Sequence, residues 1–283
     1  MMGKEIEYVT ADPAGNKTIL VLTEVSRDDY QRVARQLLEA DPQAEQVGFI
    51  KEKGRNGYED LPYMEMCGLE FCGNASRAFA YYKASLSRPP MEEITVCVSG
   101  SDKPLNVKVD VDAHRSMIEM PVPVGMRRLE IPVEYKTEDG EITHLDVTGN
   151  LVEMEGIAHF VVTDVPAEKE IFQGIKEYVY KTVDDFPAFG VMFLDISSDI
   201  MTPVVYVRDV DTLYFEGSCA SGSVAAAYAR NATCCVPVRT HILNQPAGTL
   251  EVEVHVEKGK VSKMLLDGDI TISEKHRLDL FEN

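Results

Sequence analysis

Two short stretches of this chain combine residue types suited to acid–base chemistry. One is Gly68-Leu69-Glu70-Phe71-Cys72-Gly73-Asn74-Ala75-Ser76-Arg77, the other Glu216-Gly217-Ser218-Cys219-Ala220-Ser221-Gly222-Ser223. Each sets a cysteine among glycines and small polar residues, and each runs at once into a helix-forming stretch rich in alanine. A thiol so placed lies at a helix N-terminus, where unpaired backbone N–H groups and the macrodipole favour negative charge. That environment lowers a cysteine pKa and also binds carboxylates. The two thiols stand 147 residues apart in a 283-residue chain, which suggests two related halves with one catalytic thiol each.

A thiolate and a thiol facing each other across a small cavity form a two-base device for stereoinversion at a carbon acid. The thiolate removes an α-proton while the opposite thiol delivers a proton to the other face; in the reverse direction the two exchange roles. The α-C–H of an amino acid is a weak acid, so the helix N-termini must hold the α-carboxylate and stabilise charge that develops in the transition state. The scheme requires neither a metal nor an organic cofactor. A single buried cysteine is more often a small core residue, and facing thiols can also oxidise to a disulfide. Two cysteines in matching helix-opening loops favour catalysis over both. Cys67, Cys97, Cys234 and Cys235 read as structural, and the Cys67-x4-Cys72 spacing lacks the second close pair that a zinc site needs.

The elements around these loops follow one order twice. Residues 4–10 and 17–22 read as strands joined by a breaker-rich turn, in which Asn16 is either a turn residue or a pocket residue. Ser26 is expected to cap a helix to about Ala40, with Tyr30, Val33, Ala34, Leu37 and Leu38 on its apolar face. Residues 46–51 read as a strand, residues 54–60 as a polar turn, and the first cysteine loop and its helix follow. Strands are expected over 93–98, 104–110 and 116–120, then a proline-rich linker, Pro121-Val122-Pro123-Val124-Gly125. The second half runs through strands at 129–135, 144–148 and 156–162, and a helix that Pro166 can open at its first turn. Strands at 186–194 and 204–207 lead to the second cysteine loop, and strands over 241–243, 249–256 and 261–273 end the chain. The expected domains are residues 1–123, completed by 274–283, and residues 124–273.

Composition narrows the function classes. The net charge of −19, from 47 acidic against 28 basic residues, argues against a nucleic-acid surface. Nothing approaches an 18-residue apolar run, and residues 1–7 carry no apolar targeting core, so a cytoplasmic protein without a membrane span is expected.

The loop Phe71-Cys72-Gly73-Asn74-Ala75-Ser76-Arg77 resembles the first catalytic loop of the diaminopimelate epimerases and their relatives, the PLP-independent amino-acid racemases. Ser218-Cys219-Ala220-Ser221-Gly222 resembles the second, with Ala220 in place of the usual glycine. Gly15-Asn16 is similar to the family's N-terminal turn, Gln46 to its pocket glutamine, and residues 156–159 fall on its Gly-Asn-Pro-His segment. The resemblance implies an α/β fold of two pseudo-symmetric domains, each a mixed sheet around a central helix, with the active site in the cleft between them. It implies catalysis by Cys72 and Cys219, a small amino-acid substrate, no cofactor and a homodimer. Substrate contacts are expected from Asn16, Gln46, Gly73, Asn74, Ala220 and Ser221. Glu216, either a solvated charge or a pocket residue, and His159, either a ligand or an interior residue, are further candidates.

Departures from the family carry the substrate information. Tyr63, Ile157 and Gly190 stand where diaminopimelate epimerases use asparagine, and the Glu-Arg-Gly segment before the second cysteine is missing. A distal zwitterionic group would lose its partners, a loss that costs recognition heavily. The pattern is most similar to the histidine racemases of the family, which makes L- and D-histidine the expected pair, ahead of another amino acid or diaminopimelate. Relatives acting on proline-type substrates usually carry histidine where Asn74 stands here.

Overall fold

The computed structural model describes residues 5–136, 140–231 and 236–281. Cys234 and Cys235 lie outside the described residues. The chain divides into two compact units, one of Met1–Glu119 with Leu266–Asn283 and one of Met120–Leu265.

The first unit contains β1 (Glu5–Asp12), β2 (Thr18–Val21), α1 (Tyr30–Ala40), β3 (Gln46–Lys51), β4 (Tyr63–Met66), α2 (Gly73–Ser85), β5 (Glu93–Val98), β6 (Leu105–Asp110) and β7 (Arg115–Met120). The second contains β8 (Gly125–Lys136), β9 (Ile142–Met154), β10 (Ile157–Thr163), α3 (Lys169–Thr182), β11 (Ala188–Asp195), β12 (Ile200–Val207), β13 (Thr212–Phe215), α4 (Ala220–Asn231), β14 (Val238–Gln245), β15 (Gly248–Glu257) and the start of β16 (Lys260–Asp269). β17 (Thr271–Ile272) and β18 (His276–Asp279) then return to the first unit and pair antiparallel with β1.

Both units follow the same succession of pairings. In the first, β1 lies antiparallel to β2, β2 parallel to β3 across α1, β3 antiparallel to β4, and β4 parallel to β5 across α2. In the second, β9 lies antiparallel to β10, β10 parallel to β11 across α3, and β11 antiparallel to β12. β12 then meets β14 in parallel at Ile200 and Asn244, across α4. Parallel neighbours need a crossover, and a helix supplies it each time.

Two kinds of helix fill these crossovers. α1 and α3 are one-sided: Tyr30, Val33, Ala34 and Leu37 are buried on one, and Ile171, Phe172, Ile175 and Val179 on the other. Tyr30 stacks on Phe49 of β3 with ring centroids 3.8 Å apart. α2 and α4 are enclosed. Every residue from Gly73 to Tyr82 is buried in α2, as are Gly222 to Ala227 in α4. A helix so enclosed has no solvent face, and runs of glycine, alanine and serine let neighbouring strands approach it closely. The cysteines open these two central helices.

Several local expectations shift. Ser26 is extended and makes no side-chain cap; a short 3-10 turn, Arg27–Asp29, precedes α1 instead. Pro166 stands ahead of α3, where its carbonyl accepts the Glu168 N–H, because the helix begins only at Lys169. Thr212–Phe215, unread in the sequence, forms β13 against β12. Among the described residues no helix is long and apolar enough to cross a membrane.

Candidate active site

Cys72 is the N-cap of α2, with extended backbone (φ −129°, ψ 112°). Its Sγ accepts the backbone N–H of Ala75 at 3.4 Å and the side-chain amide of Gln46 at 3.2 Å. Its carbonyl accepts Ser76 N–H at 2.9 Å and Ser76 Oγ–H at 2.7 Å. The Gln46 amide lies also 2.7 Å from Asn16 Oδ1 and 2.9 Å from Thr18 Oγ1, while the Asn16 amide donates to the Glu45 carboxylate. The turn, the β3 glutamine and the α2 cysteine singled out in the sequence thus form one chain of contacts in the first unit. Asn16 is buried and acts through its side chain, not only as a turn former.

Cys219 repeats this cap in the second unit. Its Sγ accepts Gly222 N–H at 3.3 Å, and its carbonyl accepts Ser223 N–H at 3.0 Å and Ser223 Oγ–H at 2.7 Å. Ser221 Oγ lies 3.6 Å from the sulfur and 2.9 Å from His159 Nε2. Gln245 fixes the loop from the other side: its Oε1 accepts Cys219 N–H at 2.8 Å and its amide donates to Ser223 Oγ at 3.1 Å. A Cβ at Gly222 would come within 2.1 Å of Met192 Sδ, which would have to move, and 3.1 Å of the Cys219 sulfur. Burial pushes the Cys219 thiol well above its ordinary pKa, and Glu216 adds to the rise; the Gly222 N–H and the Ser221 hydroxyl act against it.

The remaining candidates separate. Asn74 is buried, and its Oδ1 accepts Arg77 Nε–H at 3.2 Å, so its side chain faces the interior while its backbone N–H stays at the helix start. Arg77 itself is wholly buried and donates to the carbonyl of Gly268 at 2.7 Å, which ties α2 to β16. His159 is an interior residue, and burial lowers its pKa to about 3, so it is neutral. Gly190 is taken up by that imidazole, since a Cβ there would stand 2.4 Å from His159 Nδ1. Ile157 packs at the border of the apolar cluster that includes Val152, Val161 and Met192. Tyr63 donates its hydroxyl to Glu65 at 2.7 Å, beside a second phenol, Tyr30, at 2.7 Å and the Arg27 guanidinium. These donors hold the buried Glu65 carboxyl down at about 2, while burial and the Glu65 carboxylate push Tyr63 up to about 12 against the opposing pull of Arg27.

A family model, described as the histidine racemase CntK N-terminal domain, matches residues 5–277. A histidine racemase of Fusobacterium nucleatum subsp. nucleatum is 30% identical over 277 residues, which is 94% of this chain and 94% of that one. The chain belongs to the histidine racemase family. A second Fusobacterium nucleatum histidine racemase is 32% identical over 233 residues, 79% of this chain and 80% of the relative. One from Staphylococcus aureus is 26% identical over 260 residues, 87% and 88% of the two chains. Among solved structures, a hydroxyproline epimerase from Agrobacterium vitis with bound trans-4-hydroxy-L-proline superposes with a TM-score of 0.62. It is 13% identical, over 99% of this chain and 94% of that chain. A methylitaconate delta-isomerase gives 0.55 at 14% identity, over 98% and 96%. These likenesses place the histidine racemase family chain among the mixed α/β, sheet-dominated racemase and epimerase folds.

Sequence reasoning passed over Ser76 and Ser223, which bind the cysteine carbonyls of this family member identically. The signal was present: a serine stands four residues after each cysteine. Gln245 carried no comparable mark, because its partner lies 26 residues away along the chain.

Proposed function

We propose that this protein is a histidine racemase that interconverts L- and D-histidine without an organic cofactor, using Cys72 and Cys219 as the two acid–base groups. The observation that carries this is the shared cap. In a chain of the histidine racemase family, two cysteines open two buried helices, and each sulfur receives the N–H three residues on. The two units then correspond to the pseudo-symmetric halves of a diaminopimelate epimerase-like fold, with the substrate in the cleft between them and a homodimer in the cytoplasm as the working form.

Burial and Glu216 favour the protonated form of Cys219, and in one direction of the reaction Cys72 acts as the base. Cys72 Sγ takes the α-proton, the C–H bond breaks as an S–H bond forms, and the Cys219 S–H gives its proton to the opposite face of the carbanion-like centre. The first N–H groups of the helices, at Gly73 and Asn74 and at Ala220 and Ser221, hold the α-carboxylate. Tyr63 sets the distal side. Its proton is committed to Glu65, so toward a substrate its oxygen can act only as an acceptor, a capacity it already shares with the Arg27 guanidinium; that role suits an imidazole N–H.

The test is exchange of the α-hydrogen. Protein without added PLP, incubated with L-histidine in D2O, should lose the α-proton signal by proton NMR and yield D-histidine. Exchange with diaminopimelate or another amino acid, but not histidine, would move the substrate assignment; no exchange with any would remove the racemase reading. Cys72→Ser and Cys219→Ser should each lower turnover by at least ~100-fold. Full turnover in either variant rules out the two-base scheme.

A further inference from the structure

The two sulfurs share a backbone donor, yet their side-chain partners differ. Cys72 receives Gln46 Nε2–H, which can only donate. Cys219 has Ser221 Oγ at 3.6 Å, and a hydroxyl can either donate to the sulfur or accept from it. Its role follows from the group behind it. His159 Nε2 lies 2.9 Å from the same Oγ, and the imidazole is wholly buried. The other ring nitrogen, Nδ1, has no hydrogen-bond partner among the described residues and abuts the bare Cα of Gly190. One nitrogen of a neutral imidazole carries the proton. An orphaned buried N–H is rarer and costlier than an under-used acceptor, so the proton belongs on Nε2. His159 then donates to Ser221, and the serine must aim its own proton elsewhere; the Cys219 sulfur is the acceptor within reach.

We propose that His159 and Ser221 form a one-way hydrogen-bond chain, Nε2–H to Oγ and Oγ–H to Sγ, that presents a donor to Cys219 whenever it is a thiolate. His159 is thereby a positioning residue for the second thiol, and Gly190 is the space that lets it lie flat. The chain rests on the catalytic reading of Cys219. After Cys219 delivers its proton, a thiolate stands in a site whose burial disfavours it. The fixed hydroxyl and the Gly222 N–H are what receive that charge, as Gln46 and the Ala75 N–H do at Cys72. The titratable groups that bear on the Cys219 thiol are Glu216, which opposes the thiolate, and His159 acting through Ser221.

The experiment reads Cys219 directly, by iodoacetamide alkylation across pH with peptide-resolved mass spectrometry on the intact protein. Ser221→Ala should move the Cys219 midpoint up by about one pH unit, the size expected for losing one hydrogen bond to the charged form. Ser221→Thr, which keeps the hydroxyl, should restore it. His159→Leu should raise the midpoint, whereas His159→Gln, whose amide can still donate, should hold it near the parent value. In turnover Ser221→Ala and His159→Leu should lower kcat with little change in KM for histidine, and Ser221→Thr and His159→Gln should stay near the parent. An unmoved midpoint in a folded Ser221→Ala protein overturns the chain. So does a His159→Leu variant that raises KM without shifting the midpoint, since that is the behaviour of a substrate ligand. Failure of the catalytic reading would look different: Cys219→Ser would retain turnover whatever the alkylation profile.

Discussion

At the scale of single residues, the site depends on a few atoms that are missing. Gly190 has no Cβ because His159 Nδ1 occupies its position, 2.4 Å away. Gly190→Ala should therefore displace the imidazole, lower stability by about 1–3 kcal/mol as overpacked sites do, and slow turnover. Urea denaturation of the variant measures the first effect and the deuterium-exchange assay the second. The buried carboxylate of Glu65 has a different dependence, on donors. Tyr30→Phe removes one charge-assisted hydrogen bond to it and should cost about 2 kcal/mol in the same denaturation experiment. The residue types that identify the chemistry were legible in the chain, because thiols at helix starts are recognised locally. The fixed partners were less so. Tyr63 stands out by its type, but that its proton goes to Glu65 follows only once residues 63–66 are a strand, which puts positions two apart on one face. His159 shows the same limit: its neighbours Phe160, Val161 and Val162 indicate burial, while its bond to Ser221 spans 62 residues.

At the scale of elements, the first cysteine loop is held by a turn some thirty residues downstream. Ser99 Oγ accepts the Met66 N–H at 2.8 Å and donates to the Glu70 carbonyl at 2.9 Å, bracketing both ends of the segment that leads to Cys72. Gly100 follows with φ +69°, and a Cβ there would lie 2.2 Å from Phe71 N. Both the dihedral and the contact with backbone exclude a larger residue. Gly100→Ala should thus shift the Cys72 loop and cut turnover by ~10-fold or more, and should leave the Cys219 alkylation profile unchanged, since Cys219 belongs to the other unit. Periodicity gave this scale well where one face of an element is apolar, as in α1, α3 and the alternating β6, with Val107 and Val109 turned inward. It was silent on β13, whose Tyr214 and Phe215 are exposed and whose existence depends on a partner strand. It also misplaced the start of α3, because Pro166 suits a first helical turn equally well as the residue before one.

For the whole molecule, the ionisable groups that burial fixes in one state set the pH range of the fold. His159, held at about 3 against 6.5, stays neutral in the folded chain while the unfolded chain takes up a proton. Stability is therefore full above pH 6.5 and declines as pH falls from 6.5 toward 3, by up to about 1.4 kcal/mol per pH unit for this group. His241, lowered to about 4, contributes with the same sign. Glu65, at about 2 against 4.5, adds a second decline that begins near pH 4.5. Urea midpoints at pH 7, 5.5 and 4 should fall progressively, and His159→Gln should shallow the step from 7 to 5.5; a midpoint independent of pH over that range contradicts the neutral buried imidazole. The acidic composition indicated a surface without affinity for phosphate backbones, and nothing in it predicted this acid sensitivity, which comes from which few groups are enclosed.

The return of residues 266–280 to the first unit bears on how the protein is made. The carbonyls that Arg77 requires, at Gly268 and Asp269, and the strand that closes β1 on its far side are synthesised after the whole second unit. On a ribosome, where domains usually complete themselves from the N-terminus onward, this chain must do the opposite. The later unit has all its strands while the earlier one still waits for its last. Until then the buried guanidinium of Arg77 and the apolar side of β1 lack their partners. The interval is one in which a chaperone would find the first half exposed, and a released fragment truncated shortly after residue 265 should show protease resistance in the second unit alone.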